Sequence, residues 1–241
     1  MGQAWTEFLR GGHPCDHAVQ VYAEAEELAG SVASYLAAGF AVGEPAVVVA
    51  TDEHWALFAE GLAQLGWDAG SLEREGLLAL ADAEATLASF MVGDGPAGGL
   101  FEQVVGGLLD RVQAQFPDRT IRAFGEMVDL LCERGQLAGA VALEELWNGL
   151  ARSRRFALLC GYRLDVFDRS SQTGALPHVC RVHSHVLPAL DTTRLSSAVD
   201  RALEEVLGHD EAGKVYVLVG VQAREERVPI AQLVLMWVSE N

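Results

Sequence analysis

Short apolar runs alternate along this chain with longer stretches in which apolar residues recur at helical spacing. The clearest run is Ala46 to Ala50 (AVVVA), whose unbroken apolar character is typical of a strand buried on both faces. Strands that alternate with helices predict an α/β fold, with a mostly parallel sheet and helices on both faces. The other predicted strands are His17 to Tyr22, Leu77 to Ala81, Thr120 to Phe124, Phe156 to Tyr162 and a short one at His178 to Val182.

The helices between these strands carry boundary signals. The first helix has its apolar face at Leu28, Val32, Tyr35 and Leu36, and Gly39 is its predicted end. Thr51 is the predicted N-cap of the second helix, because its hydroxyl can accept a first-turn amide hydrogen bond. Asp52 and Glu53 follow it, where the helix dipole favours acidic side chains. Asp82 is expected to cap a third, shorter helix.

The C-terminal part of the chain has a different pattern. It predicts a helix from Thr192 to Leu207, then a strand from Lys214 to Val221. The apolar segment from Ile230 to Val238 fits a helix better than an edge strand. We therefore divide the chain into a domain at residues 13–188 and a small C-terminal α/β extension, helix–strand–helix, at residues 189–241. A second interpretation, in which the extension completes the same sheet, stays open.

Charge and composition exclude several classes of partner. The chain has 241 residues and a formal net charge of −17, so its surface repels the phosphates of nucleic acids. Every apolar window long enough to span a membrane contains charges, and the N-terminal segment lacks the pattern of a signal peptide. The four cysteines form no C-x-x-C pair and fit reduced thiols. We expect a bacterial, cytoplasmic protein that binds neither nucleic acid nor membrane.

No motif for nucleotide hydrolysis is present in the sequence. A nucleotide-hydrolysing α/β protein needs a Gly-rich loop ending in Gly-Lys-Ser/Thr after its first strand. The corresponding stretch, Tyr22 to Gly30, contains three glutamates and no lysine, and the loop at Gly93 to Gly99 (GDGPAGG) also lacks a lysine. The G-x-S-x-G signature of a serine nucleophile is also absent. We therefore predict that the protein is not an enzyme.

Several sequence blocks occur in an informative order. These are HAVQVY at 17–22, FAVGEPAVVVAT at 40–51, AFGEMV at 123–128, LEELWN at 143–148 and LLCGY at 158–162. Over roughly residues 13–188 they resemble the MEDS family, the methanogen/methylotroph sensory domain named after the dichloromethane regulator DcmR. The resemblance implies a degenerate RecA/KaiC-like fold that senses small hydrocarbon derivatives, often beside a histidine kinase or a DNA-binding module. With neither module in this sequence, it implies a stand-alone sensor or adaptor.

Residues at the ends of predicted strands form the candidate ligand site, because ligands of parallel α/β sheets bind outside the carboxyl ends of strands. Glu126 follows the fourth strand, where it either lines a pocket or simply complements a helix dipole. Trp147 fits core packing as well as a ligand site, whereas the neighbouring Asn148 would need hydrogen-bond partners if buried. The candidate ligand-binding residues are His17, Tyr22, Glu126, Trp147, Asn148, Cys160 and Tyr162, with ordinary core or strand roles as the alternative.

A C-x-x-H-x-H pattern near the end of the domain suggests metal chemistry. Cys180, His183 and His185 offer sulfur and imidazole ligands suited to zinc or another transition metal. His13, Cys15 and His17 are further possible ligands. The alternative is a structural histidine cluster, because a structural zinc site usually has a clearer four-ligand pattern. Apart from this metal, the sequence predicts no cofactor.

The function that these observations favour is that of a sensory or regulatory protein without catalysis. A small-molecule ligand or a signalling protein, such as a histidine kinase or regulator, would bind and shift the population of two arrangements. A possible homo-oligomer belongs to the same expectation. The alternatives are a protein-interaction adaptor without a ligand pocket, and a metal-binding protein that uses Cys180, His183 and His185.

Overall fold

The computed structural model describes residues 8–11, 13–164, 179, 181–187, 192–226 and 230–240. Its strands are β1 (His17–Tyr22), β2 (Ala46–Ala50), β3 (Leu78–Asp82), β4 (Met91–Val92), β5 (Gly95–Pro96), β6 (Ile121–Gly125), β7 (Phe156–Arg163) and β8 (His185–Leu187). Within the described residues, six of these strands form one parallel sheet in the order β3–β2–β6–β7–β1–β8. The short strands β4 and β5 form an antiparallel ribbon.

Helices connect and cover the strands. They are α1 (Ala25–Phe40), α2 (Asp52–Gln64), α3 (Ala69–Arg74), α4 (Ala83–Phe90), α5 (Gly98–Phe101), α6 (Gly107–Gln115), α7 (Met127–Glu133), α8 (Leu137–Ala151), α9 (Thr192–Leu207), α10 (His209–Glu226) and α11 (Ile230–Glu240). A π-helical turn at Glu102–Gly106 joins α5 to α6. No helix within the described residues combines the length and apolarity that a membrane span requires.

The predicted α/β architecture is confirmed, and alternating side chains of the buried strands explain it. On β2, Val47 and Val49 belong to one apolar core, and Val48 belongs to a second core on the opposite face. Helix α1 contributes Leu28 and other residues to the second core, whereas α4 to α8 contribute to the first. Each face of the sheet therefore buries its own core beneath helices, as continuous apolar strands require.

The predicted N-caps at Thr51 and Asp82 are confirmed. Thr51 Oγ1 accepts a hydrogen bond from the backbone N–H of His54 at 3.4 Å, and Asp82 Oδ1 accepts one from the N–H of Ala85 at 2.6 Å. Each bond satisfies an amide that has no partner inside its own helix. Since β2 and β3 end at these caps, both helices begin at the carboxyl edge of the sheet.

Three sequence predictions are wrong in their details. The strand predicted at Lys214 to Val221 lies inside helix α10, where buried positions at Ala212, Val215 and Val219 follow helical spacing. Within the segment predicted as the strand His178 to Val182, residues 179, 181 and 182 are helical, and residues 178 and 180 lie outside the described part of the chain. Helix α1 passes through Gly39 and ends at Phe40. The segment Ile230–Glu240 is helical, as favoured.

Candidate functional site

A cleft of about 680 Å³ opens at the carboxyl ends of the strands. Strands β1, β2, β3, β6 and β7 each end beside it, and the helices that follow contribute their first turns. Its lining residues are Tyr22, Glu24, Ala25, Glu26, Thr51, Asp52, Glu53, His54, Asp82, Glu84, Glu126, Asp129, Leu130, Glu133 and Arg163. This is the edge at which the sequence placed the ligand site.

Glu126 joins two strand ends at the floor of the cleft. Its side chain is buried, with an exposed fraction of 2%, and accepts hydrogen bonds from the backbone N–H of Thr51 and from Nδ1 of His54. The hydrogen bond to Glu126 raises the pKa of His54 against the opposing effect of burial. The Glu126 side chain therefore caps the start of α2, which follows β2, and does not cap its own helix α7.

Asp129 forms a second buried carboxylate centre beside Glu126. It accepts hydrogen bonds from the Tyr22 hydroxyl at 2.6 Å and from the backbone N–H of Arg163 at 2.8 Å. Burial raises the pKa of Asp129 to about 6, although both hydrogen bonds act in the opposite direction. Burial also raises the pKa of Tyr22, which stays a neutral donor. The pKa of the Asp129 carboxyl group therefore lies well above that of an ordinary aspartate.

The cleft is strongly acidic. Its lining contains Arg163 and His54 as basic residues, against the carboxylates of Glu24, Glu26, Asp52, Glu53, Asp82, Glu84, Glu126, Asp129 and Glu133. Crowded carboxylates repel phosphates and attract cations. Pockets for small organic ligands are usually lined mainly by apolar side chains, whereas this lining consists mainly of charged ones.

A second polar cluster lies inside the protein, away from the cleft lining. His17, Glu144, Cys160 and His183 bring one ligand atom each to within 4.8 Å of one another, and all four residues are buried. His17 Nε2 lies 3.2 Å from Glu144 Oε2 and 3.3 Å from Cys160 Sγ, and His183 Nε2 lies 3.3 Å from Glu144 Oε1. The four residues come from β1, α8, β7 and the segment before β8. We call this set the buried His–Glu–Cys–His cluster.

Neighbouring groups hold the members of this cluster in place. His17 Nδ1 lies 3.0 Å from Asn148 Oδ1, and the Asn148 amide in turn donates to the Val182 carbonyl at 3.3 Å. The Tyr162 hydroxyl donates to Glu144 Oε1 at 2.7 Å. Burial raises the pKa values of the Cys160 thiol and the Tyr162 hydroxyl well above their usual ranges. Burial lowers the pKa of His183, which favours its neutral imidazole.

The structure thus divides the seven predicted ligand-site residues among three places. Tyr22 and Glu126 lie in the cleft. His17, Asn148, Cys160 and Tyr162 lie in or against the buried His–Glu–Cys–His cluster. Trp147 lies in the apolar core, where its ring contacts those of Phe101 and Phe156.

Of the predicted metal ligands, the two that the structure describes, His183 and His185, lie in different places. Cys180 lies outside the described part of the chain. His183 joins the buried cluster, where its ring centroid is 4.1 Å from that of His17. His185 lies 5.4 Å from the ring of Phe8, a residue of the core on the other face of the sheet. The chain bends at Ser184 between the helical residues and β8, so the two histidines face different surroundings.

Sequence reasoning missed three functional candidates: His54, Asp129 and Glu144. Glu144 carried a usable signal, because it lies on the buried stripe of α8 that contains Leu143, Trp147 and Leu150. A carboxylate on an apolar stripe is almost never fully buried unless it has a partner. Asp129 follows Glu126 by one helical turn, which gave a weaker signal.

Comparison with known families identifies the family to which this chain belongs. The family model described as MEDS, MEthanogen/methylotroph, DcmR Sensory domain, matches residues 16–184, which is more than half of the chain. No curated protein matches the sequence. The match extends from β1 to the residues just before β8 and includes both the cleft and the buried cluster. The chain belongs to the MEDS family of sensory domains.

Proposed function

We propose that this sensory domain recognises a small organic cation in the cleft at the carboxyl ends of its strands. The observation that carries the proposal is the pair of buried carboxylates, Glu126 and Asp129, at the floor of a cleft whose rim is also acidic. An ammonium group placed there would be attracted by the surrounding carboxylates. It would also favour the ionised form of Asp129, whose pKa is about 6 without a ligand.

The start of α2 supports this choice of ligand charge. In nucleotide-binding α/β proteins, backbone N–H groups at a helix N-terminus bind phosphate. Here the N–H of Thr51 donates to Glu126. The protein's own carboxylate therefore takes a position at which a phosphate oxygen would bind. Since the stretch after β1 contains glutamates and no lysine, the proposal includes no nucleotide hydrolysis.

The exposed C-terminal helices support a relay to a partner protein or to a second copy of the chain. Helices α9 and α10 expose the apolar side chains Val206, Val217 and Leu218, with exposed fractions of 80%, 73% and 63%. Where such side chains adjoin one another, exposed apolar surface commonly marks an interaction site. In the proposed mechanism, ligand binding shifts the population of arrangements that present this surface.

The test is a thermal-shift comparison of matched ligand pairs at pH 7.5. Methylammonium is compared with methanol, and tert-butylammonium with tert-butanol, so that each pair differs mainly in charge. Phosphate and ATP serve as anions, and sodium chloride equalises ionic strength because salt alone screens the charge of the protein. We expect an ammonium ligand at a hundredfold excess over its Kd to raise Tm by about 5–10 °C.

Two variants show whether the effect comes from the cleft. Asp129→Asn removes a carboxylate at the floor and should abolish most of the shift. Asp118→Asn makes the same charge change at an exposed position outside the cleft lining and should leave the shift unchanged. Equal shifts with alcohols and ammonium ions, or stabilisation by ATP alone, would contradict the proposal.

A further inference from the structure

The buried His–Glu–Cys–His cluster has the donor set of a metal site. It combines two imidazoles, one carboxylate and one thiol, all of which are zinc ligands in proteins. Tetrahedral zinc with bonds of 2.0–2.3 Å places its ligand atoms about 3.3–3.6 Å apart. His17 Nε2 lies 3.2 Å from Glu144 Oε2 and 3.3 Å from Cys160 Sγ, whereas His183 Nε2 lies 3.3 Å from Oε1, the other oxygen of the same carboxylate. One ligand atom from each of the four residues lies within 4.8 Å of the others, so small side-chain rotations would bring all four around one cation.

The hydrogen-bond partners of both imidazoles occupy Nδ1 and leave Nε2 as the nitrogen that can bind a metal. His183 Nδ1 lies 2.6 Å from the Val179 carbonyl oxygen, which can only accept, so Nδ1 carries the proton. His17 Nδ1 faces Asn148 Oδ1 in the same way, because the amide nitrogen of Asn148 donates to Val182. In the neutral form of either imidazole, Nε2 then presents a lone pair to the cluster. Histidine ligands of metals characteristically show this arrangement.

Two atoms of the cluster are left without hydrogen bonds from the described residues. They are Glu144 Oε2 and His183 Nε2, both buried. Each lies close to another cluster atom, but a neutral imidazole lone pair cannot donate to a carboxylate oxygen. An unpaired buried polar atom is costly, and a carboxylate is costlier than a neutral group. A divalent cation would satisfy both atoms at once.

We propose that His17, Glu144, Cys160 and His183 bind one Zn²⁺ ion. Zinc loses its bound waters on entry, and the Cys160 thiol loses its proton to solvent, since the thiolate is the ligand. The Tyr162 hydroxyl, which donates to Glu144 Oε1, leaves Oε2 directed at the ion. Asn148 and the Val179 carbonyl fix the two imidazoles.

A zinc ion at this position would link four separate segments of the fold. Its four ligands lie on β1, α8, β7 and the segment that leads into β8. Zinc would therefore fasten the segment with His183 to three elements that are distant in sequence. Because zinc binds the assembled site and not the same geometry in the unfolded chain, it must raise the stability of the native state.

The first measurement is the metal content of the full chain, purified without an affinity tag and dialysed against a low concentration of zinc. We expect about one zinc per chain, with loss of zinc and a lower Tm after treatment with a strong chelator. A zinc content near zero together with an unchanged Tm would overturn the proposal, and would identify the cluster as a network held by protons alone.

Cobalt substitution identifies the ligands. Co²⁺ in this site should show a thiolate-to-metal charge-transfer band in the near ultraviolet and the intense visible bands of four-coordinate cobalt. Cys160→Ala should lose the charge-transfer band, and Cys132→Ala, a half-buried cysteine outside the cluster, should keep it. If Cys160→Ala does not fold, the variants Cys15→Ala, Cys132→Ala and Cys180→Ala identify the ligand by elimination, because each should keep the band if Cys160 supplies the thiolate.

Two outcomes of the cobalt experiment count against the site. A wild-type complex without a thiolate band would mean that the metal binds elsewhere, for example at the acidic cleft. A band that persists in Cys160→Ala would assign the thiolate to another cysteine. The result does not depend on the proposed organic cation, because none of the four ligands lines the cleft.

Discussion

At the scale of single residues, the protein buries charged groups in two different environments. Arg122 on β6 has an exposed fraction of 1%, and its guanidinium donates to Glu44 at 2.7 Å and to the carbonyls of Leu9 and Arg10 at 3.0 and 3.2 Å. A buried charge is tolerated when it is paired in this way. Asp129 differs, because burial raises its pKa and no cation among the described residues forms an ion pair with it.

The raised pKa of Asp129 predicts a pH dependence of stability. Since the carboxyl group holds its proton more tightly in the folded than in the unfolded protein, its ionisation lowers the free energy of unfolding as pH rises from about 4 to about 6. The gap between the ordinary pKa of 3.8 and about 6 corresponds to about 3 kcal/mol. Asp129→Asn should therefore gain stability relative to wild type over this interval.

Urea unfolding of both proteins at a series of pH values measures this difference. Asn cannot ionise, but it loses one of the two acceptor oxygens that Tyr22 and Arg163 use, which adds a constant cost at every pH. The decisive quantity is therefore how the difference in free energy of unfolding between Asp129→Asn and wild type changes with pH. For the control variant Asp118→Asn, the free energy of unfolding should change with pH in the same way as in wild type. The same parallel behaviour in Asp129→Asn would contradict the prediction.

At the scale of elements, helix α1 shows how a small residue permits close packing on the sheet. A Cβ atom at Gly39 would lie 2.6 Å from Cγ of Arg122, whereas a Cβ atom at Gly30 meets nothing within 4 Å. Both glycines lie within the same helix. The two positions therefore separate the packing role of glycine from its cost to helix stability.

Gly39→Ala and Gly30→Ala should change stability in opposite directions. Gly39→Ala displaces a buried, hydrogen-bonded arginine, and overpacking of this kind costs about 1–3 kcal/mol. Gly30→Ala adds helix propensity at an open position and should raise the free energy of unfolding by about 0.5–1 kcal/mol. Chemical denaturation of the two variants is the measurement, and stabilisation by both would show that Arg122 moves at no cost.

At the scale of the whole molecule, the C-terminal helices share a core with the sheet. Val199, Leu203, Val215 and Val234 belong to the same apolar cluster as Val19 and Leu158 of the central strands. A continuous core favours one cooperative unfolding transition. The division at residue 189, made from the sequence, remains a prediction about folding units that such an experiment can test.

Leu203→Ala tests this continuity. Leu203 has an exposed fraction of 6% and Val206, on the same helix, one of 80%. We expect Leu203→Ala to lower the stability of the whole protein by about 2–4 kcal/mol and Val206→Ala to change it little. Urea unfolding followed by far-ultraviolet circular dichroism and by tryptophan fluorescence should give coincident curves. Two separate transitions, with only one shifted, would mean that the extension unfolds independently.

The sequence by itself determined most of the elements of the sheet and their order along the chain. Apolar runs such as AVVVA, and the caps at Thr51 and Asp82, are local patterns that a few neighbouring residues specify. The same local reading failed in α10, where the segment from Lys214 to Val221 was predicted as a strand. There, packing of Ala212, Val215 and Val219 against the other C-terminal helices outweighs a weak intrinsic preference.

Only the tertiary structure decided which residues meet. The sequence grouped Glu126 with Asn148 and Tyr162, but the sheet places Glu126 in the cleft with Asp129. Tyr162 instead contacts Glu144, and Asn148 contacts His17. His17 and His183 become neighbours because β1 lies between β7 and β8, a pairing that no local pattern encodes. Periodicity along a chain reports which face a residue occupies, whereas proximity depends on strand order, and strand order is fixed by the packing of the complete sheet.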